Sequence, residues 1–256
     1  MNLSEKQTEA LKEFLYKMAD DQLILGHRNS EWTGLGPAIE EDIAFSSMAQ
    51  DKIGHSFALY SILHELGEAD PDTVAFTRND SQFHCCHLVE LPIGEYDFSL
   101  MRHFLFDHAE QLRFEMLAQS SFEPLAKVAR KIKGELKYHV LHANTWMEKL
   151  GNGNEESRIR MQAALDNTFN LALGIFEESP FAAELAKAGI FDGETSLKSQ
   201  WFKSIEPVLA KSNLVLPAES SFIPVLGGRS GKHTEQLQPL LEEMSEVFRI
   251  DPNAEW

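Results

Sequence analysis

Asp21, Asp51, Asp107 and Glu135 are the residues whose types and spacing point most directly to chemistry. A ferritin-like bundle holds two metal ions on one Glu from each of two helices and a Glu-x-x-His pair from each of the other two. Hairpin turns near residue 36 and near 121–122 would set Asp51 level with Asp21, and Glu135 level with Asp107 or His108. Helical spacing puts Phe14, Met18, Asp21 and Leu25 on one face, Ser47, Asp51, Gly54 and Ala58 on another, and Val128, Ile132, Glu135 and His139 on a third. Four carboxylates at one level of a helical core form the skeleton of a di-metal centre.

The histidines do not complete it. The i+3 positions after Asp51 and Glu135 hold Gly54 and Tyr138, and His55 and His139 follow at i+4. One further residue turns a side chain by about 100° around the helix, although i and i+4 still share a face. Two uses of these positions follow. Asp21, Asp51, Asp107 and Glu135, with His55 and His139 as fallback ligands, could serve an independent di-metal oxidoreductase. Alternatively Asp21, Asp51, Gly54, Asp107, Glu135 and Tyr138 are vestigial positions, with no catalytic, cofactor-binding or metal residue. The carboxylates would then be held by Arg28, Lys52 or the histidines, since buried charges require partners.

Other constellations carry less. Cys85 and Cys86, flanked by His84 and His87, could begin a metal knuckle, but no second half follows at the spacing zinc sites use. Gly227-Gly228-Arg229-Ser230-Gly231-Lys232 has a phosphate-binding composition, but lacks a preceding strand and is expected to be a flexible basic loop. His27, His64, His103 and His142 occur singly on helices, where bonded or surface roles are expected. Trp32, Trp146, Trp201 and Trp256 make no aromatic cage by spacing, and no GxSxG elbow, Walker loop or strand-borne GxGxxG occurs.

The elements that must position these residues are helices. Leu11, Phe14, Leu15, Met18, Leu25 and Trp32 recur at threes and fours between Ser4 and Trp32, with Ser4 and Gln7 spaced as a capping box. Pro37 opens a second helix to about Leu66. Residues 68–96 form a long crossing connection, in which Phe83, Leu88, Val89 and Leu91 exceed what a linker needs and suggest an interface. Further helices are predicted from Phe98 to Gln119, Pro124 to Leu150, Glu155 to Glu178, in shorter pieces to Ser212, and from Thr234 to Arg249. Hairpin, long crossing, hairpin is the connectivity of a ferritin-like four-helix bundle. The expected architecture is all-α and a single domain over 1–256, its core bundle at about 3–150 and additional helices at about 155–250.

Composition excludes several functions. In 256 residues, 23 Lys and Arg face 40 Asp and Glu, a formal charge of −17. Nucleic acid is therefore a poor partner, because phosphate contacts need clustered cations. No run of 18 apolar residues exists to span a membrane. The polar start Met1-Asn2-Leu3-Ser4-Glu5-Lys6 is not a secretory signal, and two adjacent cysteines suit a reduced, cytoplasmic setting.

Several segments together resemble a known family. They are Asp21-Gln22-Leu23-Ile24-Leu25-Gly26-His27-Arg28-Asn29-Ser30-Glu31-Trp32, Gly36-Pro37, Glu40-Glu41-Asp42-Ile43-Ala44, Leu88-Val89-Glu90-Leu91-Pro92 and Arg102-His103-Phe104-Leu105. Glu135-x-x-Tyr138-His139, Gly151-x-Gly153-x-Glu155-Glu156-Ser157-Arg158 and Gly228-Arg229-Ser230-Gly231-x-His233-Thr234-Glu235 continue the match. Taken in order, they are similar to the C-type subunits of bacterial ring 1,2-phenylacetyl-CoA epoxidases, phenylacetic acid degradation proteins. The resemblance implies a ferritin-like bundle without a working site, with Gly54 and Tyr138 where metal histidines would stand. It implies a structural subunit that binds and stabilises a catalytic A-type subunit, which holds the di-iron centre. The complex would insert one oxygen atom into the ring of phenylacetyl-CoA with electrons from NADPH through a reductase. A homodimer or hetero-oligomer is implied, with no cofactor in this subunit. Cys85-Cys86 and Asn29-Ser30 depart from the family pattern.

Overall fold

The computed structural model describes residues 3–252 and 254, so the readings made on Met1, Asn2 and Trp256 lie outside the described residues. Among the described residues the fold is all-α and ferritin-like, with helices and no strand. Two long helix pairs, α1 (Glu5–Ser30) with α2 (Ile39–Glu65) and α5 (Tyr96–Leu117) with α6 (Glu123–Gly151), are joined in sequence by a connection holding α3 (Pro71–Phe76) and α4 (His87–Glu90). After them come α7 (Glu155–Leu173), α8 (Ala182–Lys187), α9 (Glu194–Lys211) and α10 (Leu237–Ile250). The capping box forms as the sequence suggests: Gln7 N–H donates to Ser4 Oγ (3.3 Å) and Ser4 N–H to Gln7 Oε1 (3.0 Å).

The chain forms two compact units, each assembled from separate stretches of sequence. One comprises Ile93–Leu226 with the start of α1 as far as Ala10; the other comprises Leu11–Pro92 with the segment from Gly227 onward. In the first, α5 packs against α6, α7 and α9 and is buried almost continuously from Ser99 to Glu110. Trp201 of α9 lies fully inside among Phe169, Phe176 and Phe202. Its Nε1–H donates to the Leu105 carbonyl at 2.9 Å, which satisfies the indole as burial demands.

In the second unit α1 and α2 run antiparallel, and their register differs from the sequence expectation. Thr33 Oγ1 lies 2.8 Å from Ser46 Oγ, a Cβ on Gly26 would meet Ile53 and Ala49, and Tyr60 bonds Asp20. Asp51 is therefore level with about residue 28, some 10 Å along the axis from Asp21 at 1.5 Å per residue. Residues 31–35 cause the slip. They keep winding beyond α1 in successive turns, Trp32 N–H to Asn29 O and Leu35 N–H to Trp32 O, so the first turns of α2 run beside them rather than beside α1. In the α5–α6 pair, Asp107 is level with His139 and His103 with His142, which leaves Glu135 about one turn away.

The connection is not an exposed linker. Phe83, Leu88 and Val89 are wholly buried and Leu91 is half-buried, so these side chains supply core and not the interface expected there. The 227–232 loop is likewise fixed. A Cβ on Gly228 would overlap the Cys85 carbonyl oxygen, and one on Gly231, at φ +77°, would overlap Ser81 O. Only glycine permits those approaches. The α10 helix, which begins three residues later than expected, packs on α3 through Phe76 and Phe248, ring centroids 5.4 Å apart.

Candidate functional site

Each unit buries one cluster of histidine and carboxylate. In the first, α5 supplies His103 and Asp107 from successive turns, and α6 supplies His139 and His142. His103 Nδ1 lies 2.5 Å from Asp107 Oδ2, His139 Nδ1 lies 3.7 Å from the same oxygen, and His142 Nδ1 lies 3.3 Å from His103 Nε2. His103, Asp107 and His139 are buried, whereas His142 is half-buried. Burial pushes His103 down to about 4, with His142 and His139 acting in the same direction and Asp107 against it. The ring is therefore neutral near pH 7, with Nδ1 facing Asp107 and Nε2 facing His142. The next residue after Asp107 on α5, His108, is held by Ser204 Oγ (2.7 Å) and Asn144 Oδ1 (2.8 Å).

The metal-site positions expected from the sequence do not all face inward. Tyr138 is 70% exposed and Gly54 is exposed with open space where a side chain would start, so neither stands where a ligand would. Asp51 is half-buried. Glu135 is one-third exposed and pairs with Lys131 on the same helix. The inward i,i+3 pairs are Lys52 with His55 on α2 and Leu136 with His139 on α6, all four buried. An ammonium and an isobutyl group thus occupy the places from which a carboxylate would reach a metal shared with His55 or His139.

The inward face of α2 is an apolar stripe, Phe45, Met48, Ala49, Leu59, Ile62 and Leu63, interrupted by the buried polar residues Lys52, His55 and Ser56, while Ile39, Ile43 and Phe57 are exposed. The face centred on Asp51 is one position away from that stripe.

In the second unit the partner that spacing does not reveal is Arg229. Its guanidinium lies 2.8 Å from Asp21 Oδ2 and donates to the carbonyls of Lys17 and His84, while Cys86 N–H donates to Asp21 Oδ1 at 2.8 Å. The expected flexible basic loop is thus a buried anchor, and Asp21 is committed to it. Arg28, expected to hold a carboxylate of the core, instead bonds the backbone oxygens of Glu90 and Gln236 and pairs with the half-exposed Glu31. Asp20 holds Arg78 and Tyr60.

A second set surrounds Cys85. His233 Nδ1 lies 2.7 Å from Glu90 Oε1, and its Nε2 lies 2.9 Å from the Phe83 carbonyl. Thr234 N–H donates to Glu90 Oε2 at 2.7 Å. Cys85 Sγ stands 3.9 Å from both Glu90 Oε1 and His233 Nδ1. With an oxygen acceptor at each ring nitrogen, His233 is best satisfied as imidazolium. Burial pulls its titration down, but the hydrogen bond and charge of Glu90 outweigh burial and raise it. His84 and His87, the other members of the expected knuckle, instead bond the carbonyls of Arg229 and Lys232. The remaining single histidines are local: His64 bonds Glu68 O, and burial lowers His27.

Two long helix pairs with inward histidines and carboxylates define a ferritin-like helical protein. The chain belongs to the phenylacetic acid catabolic protein family, whose profile matches residues 1–256. It is 31% identical over 247 residues to the C component of 1,2-phenylacetyl-CoA epoxidase from Escherichia coli (strain K12), across 96% of this chain and 99% of that protein. Among the described residues, no helix is long and apolar enough to cross a membrane.

Proposed function

We propose that this chain is the C-type, non-catalytic subunit of a multicomponent oxygenase that epoxidises the aromatic ring of phenylacetyl-CoA in phenylacetate degradation. Its role is to bind and stabilise a catalytic A-type subunit, which holds the di-iron centre. The observation that carries this reading is the pair of buried positions Lys52 and Leu136, each three residues before an inward histidine. Hard metal ions of a di-metal centre require carboxylate oxygen there. A buried ammonium next to His55 opposes a cation, and Leu136 offers no donor atom. The donor set does not fit a di-metal centre, and no catalytic step is assigned to residues of this chain. The similarity along nearly the full chain to the C component of an epoxidase supports the same role.

The partner surface is better sought on α2 than on the connection 68–96. Leu35, Ile39, Ile43 and Phe57 are each more than half exposed along one side of that hairpin, and clustered apolar side chains of this kind are covered in obligate complexes. Light-scattering mass measurement on the chain mixed with an A-type subunit is the test. The expected result is a stable hetero-complex that Ile43→Asp with Phe57→Asp weakens at least tenfold. A chain that ignores the A-type subunit at micromolar concentration would contradict the proposal.

A further inference from the structure

We propose that Cys85, Glu90 and His233 form a mononuclear site for a borderline-soft divalent cation of the Zn2+ class, built from residues outside the long helix pairs. Three different donor atoms converge there: a sulfur, a carboxylate oxygen and an imidazole nitrogen, mutually within 3.9 Å. Cys85 and Glu90 are fully buried, and the His233 side chain is 2% exposed. They come from two segments, 85–90 and 233, which is why the cysteine pair shows only half a site in the sequence.

The surroundings are those of a metal site. A ligating histidine usually donates its other ring N–H to a backbone carbonyl or carboxylate, which fixes the ring. His233 Nε2 does this to Phe83 O. Glu90 Oε2 is likewise tied to Thr234 N–H, which leaves Oε1 pointing at the sulfur and Nδ1. Tetrahedral zinc with bonds of about 2.0–2.3 Å needs donor separations of about 3.3–3.6 Å. The observed 2.7 Å between Nδ1 and Oε1 must widen and the two 3.9 Å contacts of Sγ must shorten, each by well under an ångström.

Charge also balances. Without metal the group consists of a neutral thiol, an imidazolium and a carboxylate, with net charge zero. Binding M2+ forms M–S, M–N and M–O bonds and releases two protons, one from Sγ and one from Nδ1. Two positive charges replace two, so the buried charge is unchanged. A fourth position remains for water, as in three-ligand zinc sites. The bonded loop from Gly227, with its left-handed Gly231, must open to admit the ion.

Equilibrium dialysis of the full chain against Zn2+, followed by Co2+ substitution, tests the assignment. The expected result is one equivalent of Zn2+, and for Co2+ a thiolate-to-metal charge-transfer band. Cys85→Ala and His233→Gln should each weaken uptake by about a hundredfold or more, since even changes to the groups that orient a ligand cost 10–100-fold. Cys86→Ala should leave it intact, because Cys86 bonds Asp21 and Val89 through its backbone, which the substitution keeps. Far-UV circular dichroism identifies any variant that fails to fold. In that case the cobalt band of the wild type, preserved in Cys86→Ala, still reports ligation by Cys85. Absence of stoichiometric zinc in the folded wild type, a cobalt complex without the thiolate band, or uptake unchanged in folded Cys85→Ala would overturn the proposal. Iron uptake at the helix pairs would instead challenge the non-catalytic reading and leave this one standing.

Discussion

The two buried histidines His103 and His233 each sit against a carboxylate, yet they carry opposite charge states near neutral pH. His103 faces Asp107 through one nitrogen and another imidazole through the other, and burial prevails, so the ring stays neutral. His233 faces Glu90 and a carbonyl oxygen, and the acceptor on each side makes the charged form the better-bonded one. A carboxylate neighbour alone does not decide the charge of a buried histidine; the depth of burial, greater at His103, and the partner of the second nitrogen decide with it. The unit containing α5 and α6 thus holds a neutral His103 beside Asp107, together with a charged clamp of Arg113 on Glu110 and Glu194, and the unit containing Arg229 holds the charged clamps of Asp21 with Arg229 and Glu90 with His233.

The largest consequence concerns those clamps. Arg229→Met leaves Asp21 buried beside the Cys86 amide without its cation. Removing one partner of a buried pair costs about 3–5 kcal/mol, so urea denaturation should show a loss of that size. A loss below about 1 kcal/mol would show that the clamp is not what fixes the 227–232 loop.

The contrast in charge predicts pH profiles of opposite slope. The folded-state pKa of His103 is about 4, below the unfolded value of 6.5, so the unfolded chain binds the extra proton first. Stability attributable to His103 is therefore lost as pH falls from about 6.5 towards 4, by about 3 kcal/mol in all. His103→Asn should remove that share of the acid sensitivity. His233 is shifted upward, so its contribution is fully present below 6.5 and declines as pH rises through the folded-state pKa. In the metal-free chain the margin of wild type over His233→Asn should accordingly shrink as pH rises above about 6.5. Parallel profiles for the two variants would break the comparison.

Smallest are the effects at the positions that helical spacing places in the core. Asp51→Asn and Glu135→Gln alter half-buried or partly exposed carboxylates, and such substitutions usually stay within about 0.5 kcal/mol. Thermal denaturation of both variants should overlay the wild type. A fall of several degrees would show that these groups sit in a tighter network than their exposure indicates.

The helices are legible in the sequence because their signals are local. Ser4 with Gln7, the breaks at Gly67 and Pro71, and the Asn152–Asn154 turn all lie within a few residues of what they control. The phase of α2 is marked by Phe45, Met48, Leu59 and Leu63, but a face centred on Asp51 misses it, because the polar Lys52 and His55 lie on that stripe while Ile39 and Ile43 face out. Register fails for a related reason: residues 31–35 continue to wind, and no composition signal marks how far. The pairings of Asp21 with Arg229 and Cys85 with His233 join residues 208 and 148 positions apart, beyond any periodic pattern. Composition flags the segment holding Arg229 as a glycine-rich basic loop and resemblance to a family flags it together with His233, but neither shows that they meet residues 85–90.

The most direct measurement is iron content and oxygen consumption of the chain after anaerobic Fe2+ loading, alone and with an A-type subunit, reductase and phenylacetyl-CoA. The proposed role predicts substoichiometric iron and no substrate-dependent oxygen uptake alone, with turnover appearing when the A-type subunit and reductase are present. Two irons per chain, or turnover by this chain and reductase without the A-type subunit, would contradict it.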